Sequence, residues 1–197
     1  TNEEVTIEGT KSWDDNDNQD GIRPDSIKIN LLADGEVVDS KIVTEDDNWT
    51  YSFTKNKYRD GKEIVYTIEE VDVTTGYTAT VNDYNVTNSH TPETLSYTVR
   101  KDWNDFNNND GIRPGSIKIN LFANGKLVKE GVVVTGTGDN WSYTFKDLPM
   151  NVNGKKINYT VEEDEVTGYE TSIDGLTITN SHDKELIVFD RVEEVVV

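Results

Sequence analysis

The sequence predicts an all-β protein made of two tandem β-sandwich domains, and three observations carry that prediction. Short runs alternate apolar with polar residues, the period of a half-buried strand. Clusters of Gly, Asn, Asp and Pro punctuate those runs as turns do. The whole pattern is also written twice, with no convincing amphipathic helix in either copy.

The repeat sets the organisation. DGIRPDSIKINLLADG (20–35) returns as DGIRPGSIKINLFANG (110–125), and DNWTYSF returns as DNWSYTF. GKEIVYTIEE (61–70) matches GKKINYTVEE (154–163), TTGY matches VTGY, and NVTNSH (85–90) matches TITNSH (177–182). Two domains are expected, 1–91 and 92–182, joined through the short, proline-containing SHTPET, which limits their freedom. The tail 183–197 lacks the K-x-W of the two copies, so it either opens a third unit or is foreign to the repeat.

Each element follows from its own pattern. VTIEGTKSW and SYTVRKDW alternate as first strands. SIKINLLA and SIKINLFA alternate again and run through DG or NG into EVVDSKIV and KLVKEGVVV, a hairpin signature. WTYSF, IVYTIEE, YTATV and YNVTN complete the first copy. Six or seven short strands in about 90 residues indicate a sandwich.

Composition narrows the function. The chain has 197 residues, a formal charge of −19 and 34% hydrophobic residues. Such acidity repels nucleic acid and anionic membrane surfaces. Cysteine is absent, which removes disulfides, thiolate metal sites and thiol nucleophiles. No apolar run approaches a membrane span and no signal-peptide pattern opens the chain, as expected of a mature internal region.

The first strand poses a chemical question. Val5, Ile7, Gly9, Lys11 and Trp13 share one face, so the apolar face carries a lysine; Tyr97, Val99, Lys101 and Trp103 repeat this. Glu70 falls in register with Tyr66 and Ile68, and Glu163 with Tyr159 and Val161. Asn88 shares a face with Tyr84 and Val86, and Asn180 with Leu176 and Ile178. Any one of these alone reads as a strand-end residue reaching water. Three together, in both copies, point to a common purpose, because an unpaired buried charge costs several kcal/mol. Burial favours the neutral forms of amines and carboxyls. An uncharged Lys11 is a competent nucleophile, and an acid at Glu70 can polarise the Asn88 carboxamide and pass a proton as ammonia leaves. The product is a side-chain amide tying the first strand to the last.

VTIEGTKSWDDNDNQDGIRP, NWTYSF, YTIEEVDVTTGY and NVTNSH resemble the B-type repeat of Gram-positive collagen adhesins, the Cna B-type domains, over nearly the whole of each unit. The resemblance implies reversed immunoglobulin-like (prealbumin-like) topology and a life as stalk repeats of wall-anchored surface proteins or pili. It also implies spontaneous isopeptide bonds, Lys11 to Asn88 and Lys101 to Asn180, assisted by Glu70 and Glu163. The spacing from YT to GY differs by one residue between copies, so a bulge would turn Glu162 inward instead; strand parity favours Glu163. The expected protein is an extracellular, monomeric spacer at the bacterial cell surface, without cofactor. It would contact neighbouring repeats and reach any host matrix protein through a distal domain outside this sequence. Anchoring rests on the family, since no sorting signal lies within these residues.

Other readings carry less. The alternative function, repeats that themselves bind a host or matrix ligand, has no identifiable surface. Asn16, Asn18, Asp20 and Gly21 resemble the start of a calcium loop, but Ile27 stands where the bidentate Glu belongs and Phe106 replaces the first ligand in the second copy. A polar turn explains both copies, so no metal is expected. Adjacent Glu69 and Glu70 point to opposite faces and cannot act as a glycosidase pair. His90 and His182 read as surface residues.

Overall fold

The computed structural model describes residues 3–189; residues 190–197 of the tail lie outside the described residues. Compactness divides the chain into residues 3–93 with 149–156, and 94–148 with 157–189. Both units are β-sandwiches, and among the described residues no helix is long and apolar enough to cross a membrane.

The first unit contains β1 (Glu4–Asp14), β2 (Ser26–Ala33), β3 (Glu36–Thr44), β4 (Thr50–Asn56), β5 (Tyr58–Arg59), β6 (Lys62–Glu63), β7 (Tyr66–Val71), β8 (Thr78–Asn82) and β9 (Asn85–Ser89). One sheet has the order β4-β1-β9-β8 and the facing sheet β3-β2-β7, with β5 and β6 paired apart. The first strand lies between β4, antiparallel to it, and the last strand β9, parallel to it. This is the reversed immunoglobulin-like arrangement. Alternation holds along β1: Ile7, Gly9 and Lys11 are buried while Thr6, Glu8, Thr10 and Ser12 are exposed. Ile7, Ile29, Leu31, Val43, Phe53, Ile68 and Val86 form the core.

In the chain that follows come β10 (Thr94–Asn104), β11 (Ser116–Ala123), β12 (Lys126–Thr135), β13 (Asn140–Pro149), β14 (Asn151–Val152), β15 (Lys155–Lys156), β16 (Tyr159–Glu163), β17 (Glu170–Asp174) and β18 (Thr177–Ser181). The sheets repeat, β13-β10-β18-β17 facing β12-β11-β16, and β10 is again parallel to β18. The β14–β15 hairpin groups with the first unit. Residues 183–189 carry no strand, and Leu186, Ile187, Val188 and Phe189 are exposed.

Gly9 shows how closely the first sheet packs. A Cβ there would lie 1.9 Å from the Tyr84 carbonyl oxygen and 2.5 Å from the Tyr51 ring. The Tyr51 hydroxyl crosses over Gly9 to donate to that same carbonyl. Forcing a methyl group into packed backbone costs about 1–3 kcal/mol. Gly9→Ala should therefore lower the unfolding free energy by about that much, seen in equilibrium urea unfolding as a lower midpoint with an unchanged slope.

Both histidines differ from the sequence expectation of surface residues. Their side chains are only 12% and 17% exposed, because each is clasped at both nitrogens. His90 Nδ1 lies 2.8 Å from the Gly76 carbonyl and Nε2 2.7 Å from Asp20 Oδ2; His182 meets Gly168 and Asp110 in the same way. A carbonyl only accepts, so Nδ1 must donate, and an ionised carboxylate at Nε2 then requires the doubly protonated ring. The Asp20 hydrogen bond accordingly raises the His90 pKa above its ordinary 6.5, with Gly76 adding to it and Glu93 nearby. The Asp20 carboxylate also accepts the Glu93 backbone N–H, so this clasp fixes the chain where it leaves the last strand. Because the folded pKa is raised, the stabilisation is full below pH 6.5 and is lost as pH rises through the folded value. NMR titration should place both imidazoles above 6.5, and Asp20→Asn should bring His90 back down while leaving His182 unmoved.

Candidate functional site

Residues on three strands of each unit meet in the core. In the β1–β9 ladder Lys11 pairs with Val86 and Trp13 with Asn88, so Lys11 and Asn88 are diagonal neighbours on the inward face. Glu70 comes from the facing sheet, where β7 pairs with β2 opposite Ile29. The second unit repeats this with Lys101, Asn180 and Glu163, the last opposite Ile119. Lys11 is 2% exposed, Lys101 1%, and both asparagines 0%.

The sequence-predicted residues are thus brought together. Asn88 Nδ2 donates to Glu70 Oε1 at 3.0 Å. Lys101 Nζ lies 3.9 Å from Glu163 Oε2, whose side chain is fully buried, while Glu162 is exposed. The register of β11 against β16 runs without a shift through Val161, Glu162 and Glu163, so ordinary parity turns Glu163 inward. Glu69 points outward and accepts from Asn30 Nδ2. Each amine sits 3.4 Å from the centroid of its Trp13 or Trp103 ring and donates to one backbone carbonyl, that of Ser12 or Asp102. Burial pulls both lysine pKa values down to about 8, against the opposing pull of Glu70 or Glu163.

What the sites lack is as telling. Among the described residues, the buried side-chain nitrogen and oxygen atoms without a hydrogen-bond partner are Trp13 Nε1, Glu70 Oε2, Asn88 Oδ1, Trp103 Nε1, Glu163 Oε2 and Asn180 Nδ2. All of them belong to these two clusters. Native interiors seldom leave buried polar groups unpaired, since each costs about 1–3 kcal/mol.

A second group, not singled out from the sequence, walls the site. Asp15 is one strand step beyond Trp13 and is buried. Its carboxylate accepts Arg23 Nε at 3.0 Å, Arg23 Nη2 at 2.6 Å and the Tyr77 hydroxyl at 2.7 Å. Tyr77 and Trp49 pack edge-on against Trp13, with ring centroids 5.2 and 5.3 Å away, and the Arg23 guanidinium stands 5.3 Å from the same ring. Asp105, Arg113, Tyr169, Trp103 and Trp141 rebuild this wall in the second unit. The return of D-G-I-R-P and T-G-Y in both copies was the available signal. The loop oxygens that a calcium ion would need face the protein's own donors: Asn18 Oδ1 accepts from the Arg23 backbone and Asp20 from His90.

The comparisons with known proteins agree with this fold. The profile of the Cna protein B-type domain matches residues 7–89 and again 97–181. The chain belongs to the Cna protein B-type domain family. One relative of these B-type repeats is the collagen adhesin of Staphylococcus aureus, 45% identical over 186 residues, covering 91% of this chain and 16% of the adhesin. A crystal structure of two B repeat units of the collagen-binding protein of Staphylococcus aureus superposes with a TM-score of 0.82 at 43% identity. It covers 91% of this chain and 50% of that one. The chain therefore spans about a sixth of the adhesin's length.

The wall also sets an acid limit. The Arg113 hydrogen bond, aided by Asn108 and Tyr169 and opposed by burial, holds the Asp105 carboxyl at about 2, below its ordinary 3.8. A depressed folded pKa stabilises above the ordinary value and is lost as pH falls through the folded one, on the order of 2 kcal/mol here. The stability gap between the wild type and Asp105→Asn should thus narrow between pH 3.8 and about 2, as denaturant titrations at each pH would show.

Proposed function

We propose that this chain is a pair of structural stalk repeats, 1–91 and 92–182, from a bacterial cell-surface protein, each closed by one self-made isopeptide bond. The bonds join Lys11 to Asn88 and Lys101 to Asn180, with Glu70 and Glu163 moving the proton. The observation that carries this reading is the gathering of the unpaired buried polar atoms around a desolvated amine and a neighbouring carboxamide.

The chemistry balances within the chain. The lysine Nζ attacks the asparagine Cγ and forms a C–N bond. A proton travels from Nζ by way of the glutamate to Nδ2, the Cγ–Nδ2 bond breaks, and ammonia leaves. Nothing is oxidised or reduced. The glutamate acts once on its own chain, so the process is self-modification without turnover. The collagen adhesin relative supports an extracellular surface setting, and a matrix ligand would be met by regions beyond this chain.

Closing a loop of this length stabilises by roughly 4 kcal/mol if a disulfide is the guide. Intact mass spectrometry of the purified chain decides the matter. Two ammonia masses should be missing from the translated mass, and Glu70→Ala or Lys11→Ala should restore one of them and lower the thermal midpoint. A mass equal to the translated sequence would refute the proposal.

A further inference from the structure

The two sites are not identical where the carboxamide is held. In the first unit Asn88 faces Ala79 across the β8–β9 ladder; in the second Asn180 faces Thr171 across β17–β18. The Thr171 hydroxyl lies 3.3 Å from Asn180 Oδ1 and 3.1 Å from Glu163 Oε1. Asn180 Nδ2 is left without a partner, whereas in the first unit it is Asn88 Oδ1 that is left bare while Nδ2 is held by Glu70. The carbonyl oxygen therefore has a donor in one unit and none in the other.

That oxygen is where negative charge grows as an amine adds to the carboxamide carbon. A donor already aimed at it stabilises that charge; Thr171 does so from an exposed edge strand, while the Asn180 oxygen it reaches is fully buried. A hydroxyl has one proton, so Thr171 donates either to Asn180 Oδ1 or to Glu163 Oε1, and it can turn from one to the other without leaving its place. Its position thus links the acid to the oxygen it must help.

We propose that Thr171 is a catalytic residue of the second unit alone, donating its hydroxyl proton to the developing oxyanion on Asn180 Oδ1. It rests on the isopeptide reading above. Attack by Lys101 Nζ opens the Asn180 C=O double bond onto Oδ1; Thr171 steadies the resulting charge through its hydrogen bond. When the carbonyl reforms, the Cγ–Nδ2 bond breaks and ammonia departs with the proton that Glu163 relays from Nζ. Thr171 ends as it began. The unpartnered Nδ2 is free to take that proton, and Ala79 leaves the first unit to react without such help.

The test is the rate of ammonia loss in each unit of the full chain, followed by quenched mass spectrometry of crosslinked peptides during cell-free synthesis. In the wild type the second unit should react faster than the first. Thr171→Val, which keeps the shape and removes the hydroxyl, should slow the second unit by roughly 100-fold, and Thr171→Ser should restore it. Ala79→Thr should accelerate the first unit. An unchanged second-unit rate in Thr171→Val would overturn the assignment, and if that variant did not fold, a first unit unmoved by Ala79→Thr would overturn it equally. A wild type that keeps both ammonias would instead defeat the isopeptide reading itself.

Discussion

Lys11 and Lys101 each end in a nitrogen that water would solvate well, yet both are almost wholly removed from water and held against the face of an indole. Everything around them answers to that. Burial works against the charged form and brings the lysine pKa down to about 8, against the opposing pull of the acid across the core. A minor fraction of the amine therefore carries a free lone pair at neutral pH. The same pocket leaves half a carboxyl and half a carboxamide without partners. Such an interior is poorly satisfied if it is only a core, and well composed if its groups are reactants.

The topology supplies the convergence. A parallel pair between first and last strands puts Lys11 beside Asn88 although 77 residues separate them in sequence. The facing sheet sends one acid across the gap. The aromatic wall then excludes water, and it is fixed from behind by a carboxylate that grips an arginine and a tyrosine together. Asp15, one residue past the end of β1, continues the alternation of Lys11 and Trp13, so the buried amine, the ring beside it and the anchor of that ring lie in one short stretch of chain.

Much of this was legible in the residues. Strand alternation gave the inward faces, and the repeat turned single oddities into a pattern, which is why Lys11, Glu70 and Asn88 could be named together. Parity sufficed for Glu163, because the strand carrying it stays in register with β11. The clasped histidines and the Asp15 network were missed for a common reason. Their partners are separated by 62 residues for Tyr77 with Asp15 and 70 for His90 with Asp20. Only the closure of the loops over the sheet ends brings such groups together, and alternation says nothing about loops. Thr171 was missed because it sits on an edge strand and reads as an ordinary exposed threonine.

The distribution of the reactants over three strands has a consequence for the life history of the chain. A hairpin, a lone sheet or a mispaired intermediate cannot bring amine, acid and carboxamide together, so on the proposed chemistry only a finished sandwich can mark itself. The mark is irreversible, since the ammonia diffuses away. Each molecule would therefore carry a permanent chemical certificate of having once folded correctly, readable long after the event and even in the denatured chain.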